Sequence, residues 1–257
     1  MTAAGKLAIP SLHNRVGAAE WQARVELAAM YRLAHQQGWA EDTATHISAR
    51  VPGESDRFLI NPYGLFFEEI TASSLLKIDM DGNLLSESPF QYHVGGHAIH
   101  SAVYLKRPDV VSVFHTHTRA GVALSMLKNG LRTLSQGAVR FHKRISYHDF
   151  AGPAGPMDDR ERIGADLGPH LAMIMRNHGL LTVGRTIGEA FIVMARLEQA
   201  IAAQLLAEGT GEELVVPPED ICDEAAANRD DKNARLNQAA WEAWMRRADR
   251  LDPSYRD

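Results

Sequence analysis

The chain has one cysteine, Cys222, among its 257 residues. That excludes an internal disulfide and any zinc or iron–sulfur site built on several thiolates. A bound metal would have to rest on histidines and carboxylates. Long apolar runs are also missing. Stretches such as 171–175 and 191–195 fall far short of the roughly 18 consecutive apolar residues of a membrane span, so no membrane partner is expected. Residues 1–10 carry one lysine and no apolar stretch of export-signal length, which makes the cytoplasm the expected compartment. Basic charge is scarce and scattered. Lys and Arg number 27 against 32 Asp and Glu, a net charge of -5, so there is no basic footprint for nucleic acid. What is abundant is histidine, with 12 in the chain, clustered most densely between His93 and His117.

The length and a hydrophobic share of 45% suit one α/β domain with a sizeable core. Apolar residues recur at helical spacing over 18–37, with Gly38 as a stop signal. Short β-like runs at 46–51 and 57–60 flank Pro52-Gly53 and read as a hairpin, followed by the turn Asn61-Pro62-Tyr63-Gly64. Residues 75–80 read as a strand, 92–106 as a helix, and the apolar, β-branched run 110–115 as a strand buried on both faces. Residues 119–127 suit a short helix, the Gly- and Pro-rich 145–155 a loop, and 158–167 a helix with Asp158 and Asp159 near its N-terminus. Two strands, 171–175 and 180–183, flank Asn177-His178-Gly179. Thr186 with Glu189 opens a long helix. A charged helical tail carries Trp241, Trp244 and Met245 on one side. Helices on both faces of a central sheet follow, with residues 1–215 as the domain and 216–257 as an arm packed on it or on a neighbouring subunit.

The sharpest chemical signal is Phe114-His115-Thr116-His117 at the end of a buried strand. Side chains two apart on a strand share a face, so both imidazoles can reach one metal ion. His178, on a turn between strands, can be a third neutral donor, and three protein ligands leave an open position for substrate.

These residues, with Thr45-His46-Ile47-Ser48-Ala49-Arg50, Asn61-Pro62-Tyr63-Gly64, His100, Arg107-Pro108-Asp109 and Asn177-His178-Gly179-Leu180, resemble the class II aldolase and adducin family over about residues 20–206. The resemblance implies a three-layer α/β/α sandwich around a mixed, largely antiparallel sheet. It implies His115, His117 and His178 as ligands of one divalent metal per subunit, zinc first, with manganese or iron as alternatives. It also implies a homo-oligomer, a tetramer with its sites at subunit interfaces.

The departures from the pattern bear on activity. Where sugar-phosphate aldolases of the family carry Ser-Ser-Glu, this chain has Val94-Gly95-Gly96, and His46 replaces a phosphate-binding asparagine. A glycine moves no proton, and Val94 and Gly95 offer no side-chain donors to a phosphate. A non-phosphorylated carboxylate substrate is therefore expected. His93, His97 and His100 fall at helical spacing, and His97 is the first choice as acid or base. Tyr147 is a second catalytic candidate. His46, Ser48, Arg50, Asn61 and Arg119 are candidate substrate contacts, Arg119 as a bidentate partner of a carboxylate. The leading expectation is a metal-dependent C–C lyase, decarboxylase or aldolase in type. An iron(II) oxygenase of an aryl-pyruvate or hydroxy acid and a non-enzymatic, adducin-like interaction domain are the alternatives.

Overall fold

The computed structural model describes residues 9–150, 159–227 and 230–257. Part of the expected 145–155 loop and the Asp158 helix start lie outside them. Seven strands form one sheet: β1 (His46–Val51), β2 (Glu54–Ile60), β3 (Leu76–Asp79), β4 (Ser112–Thr116), β5 (Ser146–His148), β6 (Ala172–Met175) and β7 (Gly179–Gly184). Their order is β3-β2-β1-β4-β7-β6-β5. All neighbours are antiparallel except β5 and β6, which run parallel. The helices are α1 (Ala18–Gln36), α2 (Val94–Lys106), α3 (Arg119–Ser125), α4 (Arg160–Leu167), α5 (Ile187–Glu208), α6 (Glu219–Ala227) and α7 (Asp230–Leu251).

Strand alternation divides the core into two layers. Leu59, Phe114, Ile174 and Leu180 face α1 and α5. Phe58, Val113, Met175 and Leu181, one residue away in each strand, face α2 and α4. The result is the three-layer α/β/α arrangement around a mixed, mostly antiparallel sheet. Helix α5 is long and apolar enough to pass a membrane-span test by length and composition. It is the central helix of the first layer, with Phe191, Met194, Leu197 and Ile201 all buried. Its first turn is capped by Thr186, whose hydroxyl accepts the Glu189 N–H.

The sequence-based reading of 145–155 as pure loop needs correction, because Ser146–His148 pairs with β6. A three-residue strand at a sheet edge leaves too short a pattern to separate from loop composition. In the tail, Trp241 and Trp244 both pack on Phe191 of α5, at ring separations of 5.5 and 5.2 Å. Gly188 has no side chain because Trp241 lies there: a Cβ would come within 2.2 Å of its ring. The C-terminus then returns to α1 and the adjoining loop, where Ala72 N–H donates to the Tyr255 carbonyl at 2.8 Å.

Candidate metal centre

His115 lies near the end of β4 and His117 just beyond it, and their imidazole centroids are 4.7 Å apart. Each Nδ1 has a partner that can only accept a proton. His115 Nδ1 donates to the Leu180 carbonyl at 2.9 Å and His117 Nδ1 to Glu41 Oε2 at 2.6 Å. Burial pushes the His115 imidazolium well below the usual histidine range, so the ring is neutral. With both Nδ1 atoms engaged elsewhere, the two Nε2 atoms face each other at 2.8 Å, placed to hold one cation between them. Carbonyl and carboxylate partners on the far ring nitrogens are the usual outer support of metal-binding histidines.

His178 completes the group from the turn between β6 and β7. Asn177 takes a left-handed φ of 54° there, which asparagine tolerates. Gly179 lies so close to β4 that a Cβ would meet the Thr116 carbonyl oxygen at 2.3 Å. The His178 ring is 4.8 Å from both His115 and His117. Burial, and secondarily the neighbouring His117, lowers it to about 4, leaving it unprotonated at neutral pH. The donor atoms of the three residues lie within 4.8 Å of one another. Three imidazole nitrogens fit zinc, manganese or iron(II).

The triad opens into a cavity of about 270 Å³. A larger groove of about 750 Å³ runs beside β3 and α1 but is lined by no histidine. His46, cross-strand partner of His115, stacks on it at 5.0 Å. Its Nδ1 meets His100 Nε2 at 2.7 Å, His100 Nδ1 meets Ser48 Oγ, and Ser48 Oγ meets the Tyr104 hydroxyl at 2.7 Å. His46 also explains Gly96, since a Cβ there would be 2.8 Å from the His46 ring. The absence of a side chain at position 96 and the histidine at position 46 are therefore one packing solution. His93 lines the mouth, its Nδ1 accepting the Gly96 N–H at 3.2 Å as the cap of α2. Ile99, Ile163, Met175 and Phe150 supply an apolar wall, and His148, Asp159 and Arg176 complete the lining.

The structure brings His46 into this cavity with His115, His117 and His178, but not the other sequence candidates. His97 turns away: its Nε2 contacts the Asp79 carbonyl at 3.3 Å and its ring stacks on Phe58. The one-face reading of His93, His97 and His100 fails because His93 precedes the helix as its cap. Tyr147 faces the opposite side of β5 from His148 and accepts the Leu131 N–H at 3.1 Å. Ser48 lies beneath His100. Arg50 is held by the carbonyls of Val110, Ser55, Tyr104 and Arg107. Asn61 is tied to Tyr31, whose hydroxyl donates to Asn61 Oδ1 at 2.8 Å. Arg119 is exposed in the first turn of α3 and is not part of the lining. Sequence reasoning missed Glu41, His93 as a cavity residue, and the group around His148. No motif marks Glu41, which meets His117 across 76 positions. The alternation of β5 would have separated His148 from Tyr147 had the strand been legible.

Comparison with known proteins bears on the family and the fold. The family described as "Class II Aldolase and Adducin N-terminal domain" matches residues 25–205. The structure is similar to that of an aldolase II superfamily protein from Pseudomonas syringae, with a TM-score of 0.90, 42% identity and coverage of 96% of this chain and 100% of that one. It is similar to the L-fuculose 1-phosphate aldolase of Glaciozyma antarctica, with a TM-score of 0.83, 26% identity and coverage of 93% and 94%. Alpha-adducin of Rattus norvegicus is 39% identical over 185 residues, 71% of this chain and 25% of adducin.

Proposed function

The chain belongs to the class II aldolase and adducin family, and from that premise we propose that it is a divalent-metal-dependent lyase cleaving a C–C bond in a small, non-phosphorylated hydroxy- or keto-carboxylate. The observation that carries this reading is the convergence of three imidazoles: the Nε2 atoms of His115 and His117 lie 2.8 Å apart with both Nδ1 atoms engaged elsewhere, and His178 joins them. His115, His117 and His178 would hold a divalent ion there, and its chemistry would be that of a Lewis acid toward substrate oxygens and the charge that develops in C–C cleavage.

The chain's own residues support the rest. Leu180 and Glu41 hold the two imidazoles in the ligating tautomer. Ile99, Ile163 and Met175 wall off water. The cavity's volume suits a small molecule, and its lining suits no phosphate. Among the described residues that line it there is no lysine, and the one arginine, Arg176, donates Nη1 to the Leu127 carbonyl at 2.7 Å and lies over the Tyr147 ring. The glycine at 96 favours decarboxylation, which needs no hydroxyl deprotonation, over sugar-phosphate aldol cleavage. Zinc is the proposed ion, a tetramer with sites at subunit interfaces the proposed assembly, and the cytoplasm the proposed compartment.

The likeness to adducin favours a second reading, a non-enzymatic interaction domain. Elemental analysis of protein purified without chelators or a metal-affinity tag separates the two. One ion per chain, lost in H115A and H117A, is expected. Absence of metal, or variants that retain it, refutes the lyase reading. Iron together with oxygen uptake during turnover would point to an oxygenase instead.

A further inference from the structure

A second pocket, of about 480 Å³, lies at the other end of the sheet. Among the described residues it shares no lining with the metal cavity. The triad sits at the turn after β6, whereas this pocket is reached at Leu171, just before β6 begins, and at Arg185, just past the end of β7. Four arginines line it. Arg140 and Arg144 come from the segment before β5, Arg185 from the junction of β7 with α5, and Arg196 from α5 itself. Glu189, Val193 and Arg196 follow at spacings of four and three, so one face of α5 forms a wall. Glu189 is the one acidic residue among the described lining, and its Oε2 accepts the Arg185 backbone N–H at 2.7 Å. Four guanidinium charges thus stand against one carboxylate. Arg140, Arg144 and Arg196 make further contacts within the fold, but a guanidinium has five N–H donors and one partner does not exhaust them. Two other side chains report on the pocket. Asn237 of α7 is 7% exposed; its Oδ1 accepts from Arg196 Nη1, and its amide nitrogen has no partner among the described residues. His170 is held below the usual histidine range by burial first and then by the charges of Arg107 and Arg144, so the positive field reaches its ring.

We propose that this pocket is a binding site for a diphosphate-bearing small molecule, separate from the metal cavity. A lone carboxylate is met by one guanidinium fork, whereas four guanidiniums and a buried amide donor supplied by separate elements match the several oxygens and multiple charge of a diphosphate. The buried side chains of Phe141 and Val193, with Leu171 beside them, give the pocket an apolar side. An organic body attached to the anionic head fits there, as in a nucleoside diphosphate, and the volume lies within the range of small-molecule sites. The two pockets differ in kind: the metal cavity has three converging imidazoles and a single arginine, this one four arginines and no candidate metal group among the described residues. The assignment does not depend on the lyase reading.

Calorimetric titration of zinc-loaded wild type and of H115A with ADP, pyrophosphate and citrate, at about 0.15 M salt, tests this. One ADP per chain is expected to bind both proteins alike, because the pocket owes nothing to His115. Pyrophosphate binding H115A as tightly as ADP would mark the diphosphate itself as the recognised group, and weaker pyrophosphate would add the nucleoside body to it. Arg144→Gln removes one charge-assisted partner and should weaken ADP by roughly tenfold or more, with zinc content unchanged. If that variant does not fold, Arg185→Gln, at an exposed position on the rim, should weaken ADP by roughly fivefold. No binding of ADP or pyrophosphate at about 1 mM overturns the proposal. So does binding that H115A abolishes, which would place the anion on the metal, or binding that the folded arginine variants leave unchanged. Citrate bound as tightly as ADP overturns the assignment to a diphosphate.

Discussion

Replacing Glu41 with glutamine tests whether the outer support of His117 sets metal affinity. The Glu41 carboxylate accepts from His117 Nδ1 at 2.6 Å, which leaves Nε2 toward the proposed metal and would raise its basicity. Losing such a partner typically weakens metal binding 10- to 100-fold, about 1.4 to 2.7 kcal/mol. The structure places this case at the lower end. The Glu41 side chain is 55% exposed, so solvent screens much of its charge, and the glutamine carbonyl can still accept from Nδ1. The expected effect of E41Q is therefore about tenfold in zinc affinity, close to 1.4 kcal/mol, with little change in thermal stability of the metal-free protein. Competition against a chromophoric zinc chelator at fixed pH measures it, with H115A as the variant that should lose binding outright. An E41Q affinity within twofold of wild type, on a background where H115A fails to bind, would show that the Glu41 contact does not tune the ligand. Equal affinity in all three proteins would remove the metal site from His115 and His117 altogether.

Two predictions concern stability. The buried Tyr31 hydroxyl accepts from the Ile47 N–H at 2.8 Å and the Asn61 N–H at 3.1 Å, and also contacts the Ile47 carbonyl. Tyr31→Phe strands both donors, so urea denaturation should show a loss of about 2 to 5 kcal/mol, and a loss under 1 kcal/mol would contradict this account. Glu198 is buried against Thr118, and burial lifts its carboxyl from 4.5 to about 7. The folded state thus holds this proton where the unfolded chain has released it. The contribution is complete below pH 4.5 and is lost as pH rises through 7, at most about 3 kcal/mol. Glu198→Gln should therefore be the more stable protein at pH 8 and lose that advantage near pH 4.5; parallel pH profiles would refute the assignment.

Much of the architecture is legible in the sequence because its signals are local. The period of α1, the Thr186 cap of α5 and the β-branched run of β4 depend on neighbours a few residues away. The edge strand β5 is not legible, since its three residues are defined by their partner β6. The metal triad is a mixed case. The alternation of a strand puts His115 and His117 on one side, and the turn Asn177-His178-Gly179 signals itself by composition. That the turn reaches β4 is a consequence of the antiparallel β4 and β7 pairing.

The choice of catalytic candidates shows the limit most clearly. Helical spacing groups His93, His97 and His100, but it does not say where the helix begins or which neighbour each ring meets. His93 turns out to be the cap at the cavity mouth, His97 packs on Phe58, and His100 supports His46 from beneath. By itself, then, the sequence determined the candidate donor set, three imidazoles in a chain with a single cysteine, and the α/β layers that carry it. Only the tertiary structure decided what surrounds those donors: Glu41 behind His117, His46 in the space over Gly96, and His148 braced between Asp159 and Asp166. Periodicity acts over a few residues, whereas these contacts join positions far apart in the chain that are brought together by sheet register and helix packing.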